Sequence, residues 1–109
     1  MEDNTVRNEF IIYKAKAGDT TLVYIADRDV IGRYEKDAAR GIILKVPEFI
    51  EEGSPLSRSD AVRELLRNSI VILYGGKVIE LAVELGLVEP QSVLEVNGLK
   101  HVQIFKFSY

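Results

Sequence analysis

Cysteine is absent from the 109-residue sequence, and histidine occurs only once. Without cysteine the chain cannot form disulfide bonds, thiolate nucleophiles or cysteine-ligated metal sites, and this composition fits the reducing cytoplasm. A single histidine also excludes a metal site with several histidine ligands from one chain. We therefore expect a cytoplasmic protein with neither a metal site nor a cofactor.

Long apolar runs and an excess of basic residues are missing as well. No stretch approaches the roughly 18 apolar residues of a membrane-spanning helix, and the N-terminus lacks the apolar core of a secretory signal. Acidic residues number 17 and basic residues 14, so strong nonspecific binding to nucleic acid is not expected. No repeat or long flexible linker divides the chain, which predicts a single domain over residues 1–109.

The N-terminal half is rich in β-branched and aromatic residues. Residues 9–16 and 20–27 read as a hairpin across a turn at Gly18, and residues 41–46 as a third strand. Both faces of the first two strands carry apolar side chains, so we expect full cover on one face and partial cover on the other. Residues 28–40 are predicted to be irregular, and residues 51–54 to form a loop.

Two segments have helical periodicity. Ser57, followed by Asp60 at capping-box spacing, predicts the start of the first helix, with Val62, Leu65 and Leu66 on its buried face. Residues 77–85 form the second helix, which should end at Gly86. Between the helices, residues 69–74 form a short apolar run that is compatible with a buried strand or with the end of a helix. Their β-branched residues favour the strand.

Asn97-Gly98 predicts a two-residue turn between strands at residues 93–96 and 99–107. This register places Leu94 opposite His101 and Glu95 opposite Lys100. Alternation along the last strand puts one set of side chains on a common face: Leu99, His101, Gln103, Phe105 and Phe107. The fold class expected is α+β, with antiparallel N-terminal strands, two principal helices and a C-terminal β-hairpin, the helices covering one sheet face.

The segment after residue 70 carries a distinctive pattern. It begins with a glycine, Gly75, and a basic residue, Lys77, followed by an apolar-Glu-Leu-Ala run at residues 78–82. It continues with Gly-Leu-Val at residues 86–88 and an acid, Glu89, and it ends with Gly-x-x-His-x-Gln at residues 98–103. With Asp27 and residues 31–33 upstream, nearly the whole chain resembles an uncharacterised archaeal family, domain of unknown function 424. The resemblance implies an archaeal, cytoplasmic protein associated with translation, and it implies no reaction.

Two positions depart from the family pattern. Family members often have a proline just before the histidine, where this chain has Lys100, and a polar asparagine where it has Ile72. Any chemistry that depends on that asparagine is not expected in this chain.

The Gly75-Gly76-Lys77 turn is the first candidate site. If a strand enters it and a helix leaves it, free backbone N–H groups and the Lys77 ammonium group favour an anion. The spacing is not that of a phosphate-binding P-loop, because the remaining glycine and the Ser/Thr are absent. Two glycines also form an ordinary tight turn, so both interpretations stay open.

His101 is the second candidate, as a group that can titrate near neutrality, act as a base or stack on a nucleobase. Gln103 shares its strand face. A lone histidine on a strand beside Leu99 and Phe105 is more often a half-buried structural residue. No charged partner is predicted next to it.

Two further groups of charged residues are weaker candidates. The acids Asp19, Asp27 and Asp29 lack the glycine and the bidentate glutamate of a calcium loop. Basic residues surround an aromatic ring in residues 28–40 and can hold single-stranded RNA, although acids interleave with them. The residues of this basic segment are Arg28, Arg33, Tyr34, Lys36 and Arg40.

The sequence contains no catalytic pair, metal-ligand set or complete phosphate motif. We therefore expect a noncatalytic binding module, recruited to RNA or to a translation-related protein, with no DNA-binding motif and no membrane contact. The alternative is a small-ligand enzyme that binds an anionic substrate at the glycine turn and uses His101 as general base. The residues predicted to bind a ligand are Gly75, Gly76, Lys77, His101 and Gln103.

One structural observation separates these two hypotheses. Convergence of His101 and Lys77 in one cleft would favour the enzyme, whereas a flat apolar or charged patch would favour the module. A homodimer is a further alternative, because spare apolar strand faces need cover.

Overall fold

The structure, a computed structural model, describes residues 8–107. The strands are Phe10–Ala17 (β1), Thr20–Asp27 (β2), Tyr34–Asp37 (β3), Ile42–Lys45 (β4), Ser54–Leu56 (β5), Ile70–Tyr74 (β6), Leu94–Val96 (β7) and Leu99–Phe105 (β8). The helices are Arg58–Arg67 (α1) and Gly76–Glu84 (α2), and 3-10 turns cover Arg28–Val30, Glu48–Glu52 and Pro90–Ser92. The predicted α+β class is confirmed.

One mixed sheet forms the centre of the fold. Its strand order is β5-β1-β2-β6-β8-β7, and β3 pairs with β4 in a separate two-stranded sheet. The first hairpin forms across Gly18, and the C-terminal hairpin has the predicted register, with Leu94 opposite His101 and Glu95 opposite Lys100. The central pair, β2 and β6, is parallel. The other pairs in the sheet are antiparallel.

Both helices pack on one face of the sheet. Ser57 caps α1 by accepting a hydrogen bond from the Asp60 amide at 3.2 Å. Gly86 ends α2 in the left-handed conformation, and the Leu87 amide donates to the Ala82 carbonyl at 2.9 Å. The core on this face consists largely of fully buried aliphatic residues: Val23, Ile25, Val71 and Leu73 from the sheet, and Leu65, Val78 and Ala82 from the helices.

The opposite face is covered over only part of its area. The β3–β4 hairpin and the turn Glu48–Glu52 pack there against a second apolar cluster, whose buried members include Ile11, Ala26, Leu44, Ile50, Tyr74 and Leu99. Two side chains fasten this hairpin to the sheet. Arg40 Nη2 donates to the Glu95 carbonyl of the edge strand β7 at 2.7 Å, and Asn97 Nδ2 donates to the Lys36 carbonyl at 3.0 Å.

Three expectations from the sequence are wrong. Tyr34–Asp37, predicted to be irregular, is a strand because β4 supplies its hydrogen-bond partners. Ser54–Leu56 begins in the predicted loop but pairs with β1 at the edge of the sheet, where a proline is tolerated. Leu66 is 54% exposed rather than buried, because the contact stripe of α1 is narrower than expected. Within residues 8–107, no helix is long and apolar enough to cross a membrane.

Candidate functional site

Asp27, the last residue of β2, lies beneath the first turn of α2. Its Oδ2 accepts a hydrogen bond from the Lys77 amide and its Oδ1 accepts one from the Val78 amide, both at 2.9 Å. The carboxylate therefore binds where the helix dipole favours negative charge. The expectation that these two amides are free for an external anion is wrong, because the chain fills the position itself.

The Asp27 side chain is 4% exposed. Burial raises the pKa of Asp27 above the ordinary 3.8, while the hydrogen bonds from Lys77 and Val78 act in the opposite direction. The acid thus serves as a cap supplied by a distant strand. In the sequence, Asp27 is a candidate ion ligand and part of the family pattern, and neither indicates a helix cap. Within residues 8–107, no three acid or histidine side chains could hold a metal ion together.

Gly75 is required by this arrangement for two reasons. Its φ of 113° and ψ of 146° lie in a region that is essentially restricted to glycine. A Cβ atom at this position would also overlap the Asp27 carboxyl group. Gly75 therefore allows the end of β2 to approach the start of α2 closely. The sequence pattern around Gly75 does not reveal this role.

Gly76 and Lys77 are exposed at the start of α2. The aliphatic stem of Lys100 runs beside Gly76, so two lysines lie near this end of the helix. Binding of a ligand at Gly75, Gly76 and Lys77 stays a prediction. Because Gly75 is buried, only Gly76 and Lys77 are accessible to a ligand at this turn.

His101 is half-buried and stacks on Tyr74, with ring centroids 4.4 Å apart and an angle of 18° between the planes. Its Nδ1 lies 3.0 Å from the Leu73 carbonyl oxygen. Because a carbonyl can only accept, Nδ1 carries the proton and Nε2 is the unprotonated nitrogen of the neutral ring. Burial lowers the pKa of His101, and the Leu73 hydrogen bond offsets part of this effect.

The residues predicted to bind a ligand fall on two sides of the sheet. α2, which carries Lys77, packs on the helix-covered face. His101 pairs with Leu94 and Tyr74, whose side chains belong to the apolar cluster of the other face, and Gln103 shares this side. The fold does not gather the five predicted residues around a common helix-side cleft.

Strand alternation in β3 separates the charges of the basic segment. Tyr34 and Lys36 are exposed on the outer side of the hairpin, whereas the acids that alternate with them, Glu35 and Asp37, are half-buried. Each acid pairs with a neighbouring arginine, which lowers the pKa of Glu35 and of Asp37. The two pairs are Arg33–Glu35 at 3.0 Å and Arg40–Asp37 at 2.6 Å.

A surface that the sequence did not single out lies beyond the β3–β4 hairpin. Two rows of side chains cross β1, β2, β6 and β8 on the face away from the helices, and none of the eight residues is charged. Six are half-buried, and Gln103 and Phe105 are exposed. On the helix side, the alternating residues of the two central strands, Val23, Ile25, Val71 and Leu73, are fully buried. We call this surface the open face: Tyr13, Ala15, Leu22, Tyr24, Ile70, Ile72, Gln103 and Phe105.

Two phenylalanines extend the open face. Phe49 packs on Tyr13 and Tyr24, with ring centroids 5.0 and 5.1 Å away, and remains 40% exposed. Phe107 follows Phe105 at the end of β8 and is 78% exposed. The sequence did contain a signal for this surface, namely apolar residues on both faces of the hairpin strands, but not its extent, which depends on where β3–β4 packs.

The sequence pattern of the family described as "Protein of unknown function (DUF424)" matches residues 15–107 of the chain. The chain belongs to this family. The resemblance first seen in the segment after residue 70 is thereby confirmed. The DUF424 description assigns no reaction.

One solved structure extends the comparison. The DUF424 chain is similar to the crystal structure of an uncharacterized conserved protein from Methanopyrus kandleri, at a TM-score of 0.58 and 23% identity, over 92% of this chain and 95% of that one. At this identity the likeness shows the fold alone. Among curated proteins, none matches the chain significantly.

Proposed function

We propose that this DUF424 protein is a noncatalytic binding module that holds an apolar segment of a partner protein on its open face. The observation that carries the proposal is the open face itself: eight uncharged positions on four adjacent strands, left uncovered where the β3–β4 hairpin ends. Contiguous apolar surface of this kind marks interaction sites on soluble proteins. The translation-related partner implied by the family resemblance belongs to this proposal.

The three phenylalanines supply much of the binding energy. At about 200 Å² per side chain, the exposed fractions of Phe49, Phe105 and Phe107 leave on the order of 300 Å² of aromatic surface in water. Burying that area would contribute roughly 7 kcal/mol before the costs of association, at about 25 cal/mol per Å². Contacts to the half-buried aliphatic residues add to this value.

The chemistry of the open face favours protein over RNA. Tyrosine and phenylalanine rings can stack on bases, but affinity for RNA comes largely from cations that contact phosphates. The open face contains no lysine or arginine. An apolar protein segment can cover the open face without burying a charged group that lacks a partner.

The enzyme alternative has less support. It needs an anion held at the start of α2 and a base directed at it, yet the Lys77 and Val78 amides donate to Asp27. His101 lies on the opposite side of the sheet from α2 and stacks on Tyr74. These contacts give the Lys77 amide and the His101 ring structural roles.

Photocrosslinking tests the proposal. Gln103, exposed within the open face, is replaced by p-benzoylphenylalanine, and Glu84, exposed on α2, is replaced in the same way as a control. The tagged proteins are irradiated in native cells and purified with and without RNase. We expect a discrete protein conjugate from position 103 that resists RNase and is absent from position 84.

A matched pair of variants assigns the capture to the surface. Phe105→Ser should lower the yield of the conjugate at least tenfold, whereas Leu66→Ser should leave it unchanged, because Phe105 and Leu66 are 52% and 54% exposed but only Phe105 is on the open face. Loss of the conjugate with RNase, a conjugate of two copies of this chain, or an equal effect of the two variants would each overturn the proposal. Melting temperatures verify that both variants fold.

A further inference from the structure

A polar recess adjoins the open face where β2 and β6 begin and β8 ends. It has a volume of about 450 Å³. Ile70, Phe105 and Phe107 belong to its wall and connect it to the open face, while its polar lining includes Thr20, Thr21, Arg67, Asn68 and Ser69. We call this cavity the end recess.

Of the two cations that line the end recess, Arg67 has weaker contacts within the protein than Lys106. Its side chain is 67% exposed, and its Nη1 lies 3.9 Å from Glu64, at the limit of an ion pair. Glu64 has closer partners, since Lys14 lies 3.3 Å away and Asn68 Nδ2 donates to it at 2.9 Å. The guanidinium group therefore has donors available to a ligand.

The C-terminal end of α1 would ordinarily repel an anion in this recess. Two of its carbonyl groups are already bound, because Lys106 Nζ donates to the Leu65 and Leu66 carbonyls. Asn68 Nδ2 donates to the Glu64 carbonyl at 2.8 Å. Besides Arg67, the lining of the recess includes three neutral hydroxyl groups, from Thr20, Thr21 and Ser69, and one acid, Asp19.

We propose that the end recess binds a carboxylate of the partner segment through Arg67, while apolar side chains of the same segment cover the open face. The partner is thus an apolar protein segment that carries an aspartate, a glutamate or a C-terminal carboxylate at one end. Arginine suits this ligand because its planar donors match a carboxylate. The inference rests on the proposed function, since it concerns the neighbouring part of the same surface.

Small probes test the recess without knowledge of the partner. Binding of 3-phenylpropionate, which joins an aromatic ring to a carboxylate, is compared with that of the neutral 3-phenylpropanamide by NMR amide shifts of the full chain. We expect saturable shifts at Thr20, Ser69 and Phe105. The carboxylate should bind about twofold to fivefold more tightly than the amide, the range expected for one solvent-exposed ion pair.

Two arginines of α1 provide the matched comparison. Arg67→Gln should remove the preference for the carboxylate, and Arg63→Gln should retain it, because Arg63 is similarly exposed at 69% but pairs with Asp60 outside the recess. Equal binding of the two probes, or loss of the preference in both variants, would overturn the inference. Tighter, Arg67-dependent binding of octauridylate at the same amides would overturn it in favour of a nucleic acid ligand.

The binding function and the carboxylate inference can be refuted independently. If Phe105→Ser abolishes protein capture but the probes show no preference, the carboxylate inference is wrong and the binding module stands. If the probes show the preference but position 103 captures no protein, the binding function is wrong and the recess is only a carboxylate site.

Discussion

Asp27 and Gly75 form one structural unit although they belong to distant parts of the chain. The carboxylate of Asp27 binds the first turn of α2, and Gly75 leaves the space in which it does so. Asp27, which the sequence suggests as a candidate ion ligand, is thus a helix cap. Its burial without this pairing would be costly, since a buried carboxylate needs hydrogen-bond partners.

Substitution of Gly75 tests this unit at the residue scale. Gly75→Ala should lower the free energy of unfolding by about 3 kcal/mol or more, from backbone strain combined with overlap on Asp27. Gly41→Ala is the control, because Gly41 also has a positive φ, of 68°, but open space around its Cβ position. It should cost only about 1 kcal/mol. Urea unfolding measures both, and equal losses would contradict the role of Asp27.

The titration of His101 gives a second prediction at this scale. Its pKa is lowered from 6.5 by burial, so the folded state resists protonation more than the unfolded state does. The contribution of His101 to stability is therefore kept above pH 6.5 and lost as the pH falls from 6.5 to the folded-state pKa. NMR titration of the ring should give a pKa below 6.5.

Unfolding measurements supply the matching control for His101. Between about pH 7.5 and 5.5 the wild type should lose more stability than His101→Gln, which cannot gain the charge. A ring pKa at or above 6.5, or parallel losses in the two proteins, would show that burial does not govern the group.

At the scale of the elements, the β3–β4 hairpin shows how a polar segment becomes a strand. Three of the four residues of β3, Glu35, Lys36 and Asp37, have low strand propensity, yet β4 pairs with all four residues. Within β4, Leu44 is 6% exposed against the sheet, whereas its neighbour Ile43 is 58% exposed on the outside. The hairpin is therefore attached by one face only.

Adjacent substitutions in β4 should differ widely. Leu44→Ala removes buried contacts and should cost about 2–4 kcal/mol, while Ile43→Ala should cost less than about 1 kcal/mol. Chemical denaturation of the two variants provides the comparison. Similar costs would mean that the hairpin does not pack on the sheet through Leu44.

The elements also show how much of the fold the sequence could predict. The register of β7–β8 was predictable because Asn97-Gly98 fixes a two-residue turn, and Ser57 and Gly86 marked the helix ends correctly. The parallel pairing of β2 and β6 was not predictable, because pairing between strands that are distant in the chain produces no local pattern in the sequence. The open face was missed for the same reason: it exists where no element packs, and only the assembled fold shows that place.

At the scale of the whole molecule, the sheet has a strongly protected centre and a less protected cover. β2 and β6 each have strands on both sides and fully buried residues towards the helices. The β3–β4 hairpin has only two four-residue strands and depends on contacts such as Arg40 to β7. Segments with few buried contacts open locally at lower cost than the core.

Hydrogen exchange should resolve these two regions. Amides of Ile25 and Leu73 should exchange through global unfolding, and amides of β3 and β4 should exchange faster, by local opening of the hairpin. Under native conditions the difference should exceed tenfold. Equal protection of β3 and β6 would mean that the hairpin and the sheet open as one cooperative unit.

The parallel pairing of β2 with β6 has a consequence for the chain as it is being made. When β1 and β2 have left the ribosome, β6 has not, because everything from residue 28 to residue 69 is synthesised between them. For that interval one edge of β2 has no partner, and an unpaired strand edge is where nascent chains associate wrongly. Synthesis of this protein therefore includes a vulnerable period that ends only when Ile70–Tyr74 emerges.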